Sequence, residues 1–176
     1  MDSLDLETGE ELSVSNLPEA MHKPAVALYK TSQIILVGKQ MVALFDIDSN
    51  IWTKLDVSNY PTDLEFDRAM FDAESEAVFL TSSYSRTLFK CSIQANNSCI
   101  MESVGKFTTE TKNTCLVERV IYNFNSEEFD DDRVLESYDI VSQQFRVIWK
   151  DKVPEWDFSP NYCLGCFPLV TYDFIS

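Results

Sequence analysis

The sequence predicts an all-β fold: a β-propeller-like array of four-stranded antiparallel blades, about three full blades plus a composite or partial fourth. Three observations carry this. Short apolar runs alternate with turn-forming clusters, best seen in residues 33–55, QIILVGKQMVALFDIDSNIWTKL, where runs at 34–37, 41–45 and 51–55 are parted by Gly38-Lys39-Gln40 and Asp46-Ile47-Asp48-Ser49-Asn50. The spacing of landmarks recurs: Asp46 precedes Trp52 by six residues and Asp139 precedes Phe145 by six, while Pro61 and Pro154 each follow nine residues later. Taking Pro18, Pro61, Thr108 and Pro154 as equivalent points gives steps of 43, 47 and 46 residues, the period at which strand quartets repeat in propellers. Finally, no window holds an apolar stripe at helical spacing for three turns.

Taken in order, residues 1–11 are acidic and expected to be a disordered tail, and residues 12–176 form one domain. A short strand at 12–14 leads through Ser15-Asn16-Leu17-Pro18 into the first blade, about 19–61. Its strands fall at 25–29, 34–37, 41–45 and 51–55, with a polar turn at Lys30-Thr31-Ser32-Gln33. The second blade, about 62–108, has strands at 68–71, 77–81, 87–93 and 99–104, with Cys99 at the position of Trp52. The third, about 109–154, begins with strands at 114–117 and 120–124 across a tight Glu118-Arg119 turn. An acidic loop at 125–132 precedes its strands at 134–139 and 145–149. Two further strands, at 161–166 and 169–174, start a fourth round. The terminal segments 12–17 and 155–176 would together make the partial fourth blade, and pairing between them would close the ring and remove an exposed edge.

A chain of 176 residues with 45% hydrophobic content fits a single globular domain. The 14 Lys and Arg against 29 Asp and Glu give a net charge of −15, which repels phosphates and argues against nucleic acid or an anionic membrane as partner. It favours either a protein partner with a basic segment or simply solubility, the more common reason for such a charge. The acidic start lacks the basic and apolar regions of a secretory signal, and no apolar run reaches the ~18 residues of a membrane span. Five cysteines without such a signal read as thiols in a reducing compartment, so a cytoplasmic location is expected.

Ile34-Ile35-Leu36-Val37-Gly38, Phe45-Asp46, Asn50, Trp52 and Pro61 make a strand ending in glycine, an apolar strand ending aromatic-Asp, and a turn with Asn before Trp and a proline nine on. This pattern resembles a Kelch repeat. Tyr138-Asp139, Gln144, Phe145 and Pro154 carry it again with Phe for Trp. The family's paired glycine is Gly38-Lys39 in the first round and is replaced by Thr81-Ser82-Ser83 in the second and by residues near Asn123-Phe124 in the third. The resemblance implies a propeller that binds proteins, without the BTB or F-box domains that often accompany it. Kelch-like oxidases hold copper through several histidines and tyrosines, which a chain with 1 histidine does not match.

Catalytic signatures are missing: one histidine, no H-E-x-x-H, no G-x-S-x-G and no glycine-rich phosphate loop leave no triad or metal set. No enzymatic activity, cofactor or metal is therefore expected. Asp46–Asn50 begins like a calcium loop, but Ile51 and Val57 stand where glycine and glutamate are required, so it reads as a turn. Cys163-Leu164-Gly165-Cys166 lacks further zinc ligands and reads as buried thiols, as do Cys91, Cys99 and Cys115. Trp52 and Trp149 are expected to pack between blades, and Trp156 to be partly exposed. Turns between the second and third strands of each blade should cluster at one end of the ring. They nominate Lys39, Tyr84, Arg86, Glu127, Glu128, Asp130, Asp131 and Asp132 as partner-binding residues. The alternatives are a glycan-binding or glycan-processing propeller built on Trp156, Glu155 and Asp157, or a truncated Kelch protein without independent function.

Overall fold

Each of the three rounds folds as a four-stranded antiparallel meander. The computed structural model describes residues 2–4, 11–126 and 132–152, and among these there is no helix. The first blade comprises strands β3 (Ala25–Tyr29), β4 (Gln33–Gly38), β5 (Met41–Asp46) and β6 (Ile51–Ser58). The second comprises β7 (Arg68–Asp72), β8 (Ala77–Thr81), β9 (Thr87–Ile93) and β10 (Ser98–Lys106). The third comprises β11 (Asn113–Val117), β12 (Val120–Ser126), β13 (Asp132–Asp139) and β14 (Gln144–Lys152). Trp52, Cys99 and Phe145 each stand second in the fourth strand of their blade, as the spacing predicts.

Blades pack face to face because alternate residues of a strand point to opposite sides of its sheet. The second blade is covered on both faces, and every residue of β8 is buried. Val78 and Leu80 join Ile35, Val37, Val42 and Leu55 of the first blade in one core, to which Phe66, Cys91, Cys99 and Met101 also belong. Ala77 and Phe79 turn the other way and meet Ile121, Tyr138 and Ile140 of the third blade. There Phe107 and Phe145 pack edge to face with centroids 5.0 Å apart. Each such fully buried aliphatic or aromatic side chain contributes about 1.5–3 kcal/mol through removal from water. The outermost strands β6 and β10 also pair in parallel over Asp56–Ser58 and Ser98–Ile100, joining the first two blades in one eight-stranded sheet. At the opposite, inner side β3, β7 and β11 lie next to one another.

One expectation needs correction. The acidic start is not wholly a disordered tail: β1 (Asp2–Leu4) pairs antiparallel with β2 (Glu11–Ser13), which takes the short strand expected at 12–14 one residue earlier. The C-terminal strands expected to pair there lie outside the described residues, as do Trp156 and Cys163 to Cys166. The two tryptophans expected between blades lie on faces that no second described blade covers. Trp52 stacks on Phe45 at 4.7 Å on the face of the first blade turned away from the second, and its indole N–H donates to the Ser15 carbonyl at 2.9 Å. The segment entering the first blade thus covers that face, leaving Ala43 and Met41 buried. Trp149 is 41% exposed on the outer face of the third blade.

Candidate functional site

Within a meander the strands alternate in direction, so the turns between second and third strands emerge at the same end as the connections between blades. At this end are Gly38-Lys39-Gln40, the 82–86 turn, and the connections 59–67 and 107–112. Hydrogen bonds tie them into one surface. In the first connection the Tyr60 hydroxyl donates to the Gly38 carbonyl, and burial pushes that phenol up to about 12. Its ring packs against Phe66, which packs against Phe89 of β9. The Asp67 carboxylate accepts from the backbone N–H of Ser83 at 2.9 Å and from the Ser83 hydroxyl.

The 82–86 turn is closed by the Ser85 N–H donating to the Ser82 carbonyl at 2.9 Å. From the second connection, the Thr111 hydroxyl shares its one proton between the Ser82 and Ser85 carbonyls, at 2.8 and 2.9 Å. Farther along, Glu136 of β13 is buried and accepts from the backbone N–H groups of Thr108 and Thr109 at 2.7 and 3.1 Å and from the Thr109 hydroxyl at 2.6 Å. Burial acts to raise this carboxyl's pKa, but the Thr109 and Thr108 hydrogen bonds outweigh it and hold the group below the usual glutamate range.

On this frame Lys39 is exposed and sits 3.4 Å from the Glu65 carboxylate, a solvent-screened pair of little energetic weight. Tyr84 stands at the tip of its turn, 89% exposed. Arg86 is exposed, and its carbonyl accepts from the Phe107 N–H at 2.9 Å. The 59–67 connection brings the first two turns together, through Glu65 to Lys39 and through Asp67 to Ser83. Glu127, Glu128, Asp130 and Asp131 lie outside the described residues. Asp132 opens β13, and its side chain is likewise undescribed. The connections themselves, with exposed Asp63 and Glu65, belong to the same surface but escaped the sequence reading. The strand parity that nominated the turns places them there too.

The opposite end is built differently. Asp46 accepts from the Ser49 N–H and hydroxyl at 2.9 and 2.7 Å, Asp72 from Ser75, and Asp139 from the Val141 and Ser142 N–H groups at 2.9 Å. Asp46, the first residue of the calcium-like run, is thus occupied in closing its turn, the local role such residues play. A solvent-open cavity of about 600 Å³ lies along the inner strands, lined by Val26, Leu28, Arg68, Met70, Cys115 and Leu116. Among the described residues no three His, Cys, Asp or Glu side chains gather as a metal site. Cys91 and Cys99 are buried in the first inter-blade core, and the Cys91 thiol is pushed up by its hydrogen bond with Cys99 and by burial.

No protein-family model and no curated protein sequence matches the chain. Solved structures do resemble it in fold. A chain of the nidogen/laminin complex aligns with a TM-score of 0.59 at 12% identity over 87% of this chain and 60% of its own length. Hydrazine synthase of Kuenenia stuttgartiensis aligns with a TM-score of 0.55 at 12% identity over 88% of this chain and 43% of its own. A structural-genomics protein from Bacteroides thetaiotaomicron aligns with a TM-score of 0.52 at 12% identity over 76% and 33%. The chain therefore spans 33–60% of the length of these similar structures. At this identity the likeness is one of fold: a β-propeller-like array of blades.

Proposed function

We propose that this chain is a non-enzymatic interaction module, a Kelch-like propeller that presents the loops of one end to a protein partner carrying a basic segment. The observation that carries the reading is the bonded surface formed by the 59–67 and 107–112 connections and the 82–86 turn. A loop held by several neighbours loses little further conformational freedom on binding, which favours affinity. An aromatic ring as exposed as that of Tyr84 supplies contact area at small entropic cost. The acidic run Glu127 to Asp132, which follows β12 in the sequence, would select a basic segment. The Kelch-like residues support the family reading, since Phe45-Asp46 and Tyr138-Asp139 end equivalent strands. One similar structure is that of an assembly of proteins, the nidogen/laminin complex.

The test is capture of partners on the immobilised chain, followed by binding measurements with variants. Asp130→Lys, Asp131→Lys and Asp132→Lys together, and Tyr84→Ala alone, should each weaken binding while leaving the melting temperature unchanged. Asp48→Lys, at the opposite end, should leave binding intact. Unchanged binding with lowered stability in the first two variants would show that these loops are structural and overturn the assignment.

A further inference from the structure

The third blade presents one face to the second blade, and no other described strand covers its opposite face. Leu116, Ile121, Tyr138 and Phe145 form one cross-strand row against the second blade. The alternate rows therefore point outward. One is Asn113, Phe124, Leu135 and Trp149; another is Cys115, Tyr122, Ser137 and Arg146. Trp149 and Val117 are each 41% exposed, with Tyr122, Phe124 and Leu135 half-buried between them. An apolar sheet face of this kind marks a site that something covers.

We propose that this face is the docking surface of the chain's own C-terminal segment, residues 153–176. The first blade shows the principle. Its Trp52 position, like Cys99 and Phe145, faces toward the preceding part of the chain, and the segment that precedes β3 covers it through Ser15. The outer face of the third blade is turned the other way, away from the second blade. The C-terminal segment has the matching chemistry. Hydrophobic residues make up 13 of its 24 positions, and it carries Glu155, Asp157 and Asp173 with no lysine or arginine. The face it would cover displays Arg146. A segment joined directly to β14 is present at an effective concentration on the order of millimolar. A second copy would bring another charge of −15 against the first.

The experiment uses the full chain with the photo-crosslinker p-benzoylphenylalanine in place of Trp149 and, separately, in place of Val117, in a mixture of isotopically heavy and light copies. Circular dichroism verifies folding, and the second placement serves if the first disturbs it. The expected result is crosslinked peptides joining these positions to residues 153–176 of the same isotopic copy. Mixed-isotope pairs would assign the face to a second copy and overturn the proposal. So would crosslinks only to other segments, or no tail peptide from either position.

Discussion

Glu118 and Arg119 join β11 to β12 with both residues in the left-handed region, at φ of 46° and 65°. A two-residue hairpin of this geometry favours Asn-Gly, and each L side chain there costs about 1–2 kcal/mol. Arg119 offsets its share: its guanidinium lies 3.3 Å from the buried Asp72 carboxylate and 2.5 Å from Glu74, tying the third blade to the second. Glu118→Gly should therefore stabilise the protein by about 0.5–1 kcal/mol in urea unfolding, after the added unfolded-state entropy of glycine. Arg119→Gly, relieving the same strain, should instead destabilise, and equal gains from both would show the ion pairs to be inert. Gly105 poses the opposite constraint. A Cβ at this position, beside the bulge of β10, would overlap the Phe145 ring. Gly105→Ala should cost about 1–3 kcal/mol by overpacking. Adding Phe145→Leu should recover part of that loss, and a purely additive double variant would place the cost in the backbone instead.

The strands were legible because apolar runs and turn residues alternate cleanly, so the interior strands of the first two blades, β4, β5, β8 and β9, fall within a residue of their expected places, and β12 and β13 each run two residues longer. Their two-sided burial was not legible, since a run such as Ala77–Thr81 has no polar face to tell one neighbour from two. The candidate loops were legible as turns, and parity put them at one end. What holds them there was hidden, because Asp67, Thr111 and Glu136 act on backbone groups far along the chain. Glu136 makes this layer acid-sensitive. With its folded pKa depressed, its stabilising contribution is complete above the ordinary glutamate value of about 4.3 and is lost as pH falls through the lower folded value. Urea midpoints should accordingly fall as the solution is acidified below that value. Glu136→Gln should destabilise at neutral pH by about 1.5–3 kcal/mol and flatten its share of the acid dependence. An unaltered pH profile in the variant would remove Glu136 as the cause.

Blades that touch only their neighbours make the molecule nearly one-dimensional, so local stability depends on how many covered faces a blade has. The second blade has two: one core joins it to the first through Val78 and Leu80, the other to the third through Ala77 and Phe79. Among the described residues the third has one such core, and its β14 carries the half-exposed Val147, Ile148 and Trp149. Opening the third blade breaks one inter-blade core, whereas opening the second breaks both. Native-state hydrogen exchange should therefore find β8 and β9 amides exchanging only with global unfolding, and β13 and β14 amides exchanging through a smaller opening. Leu80→Ala, with its side chain fully buried, should cost about 2–5 kcal/mol and lower the global barrier in all blades together. Val147→Ala, on the exposed strand, should leave β8 protection unchanged. Uniform protection across all three blades would mean that they unfold as one unit.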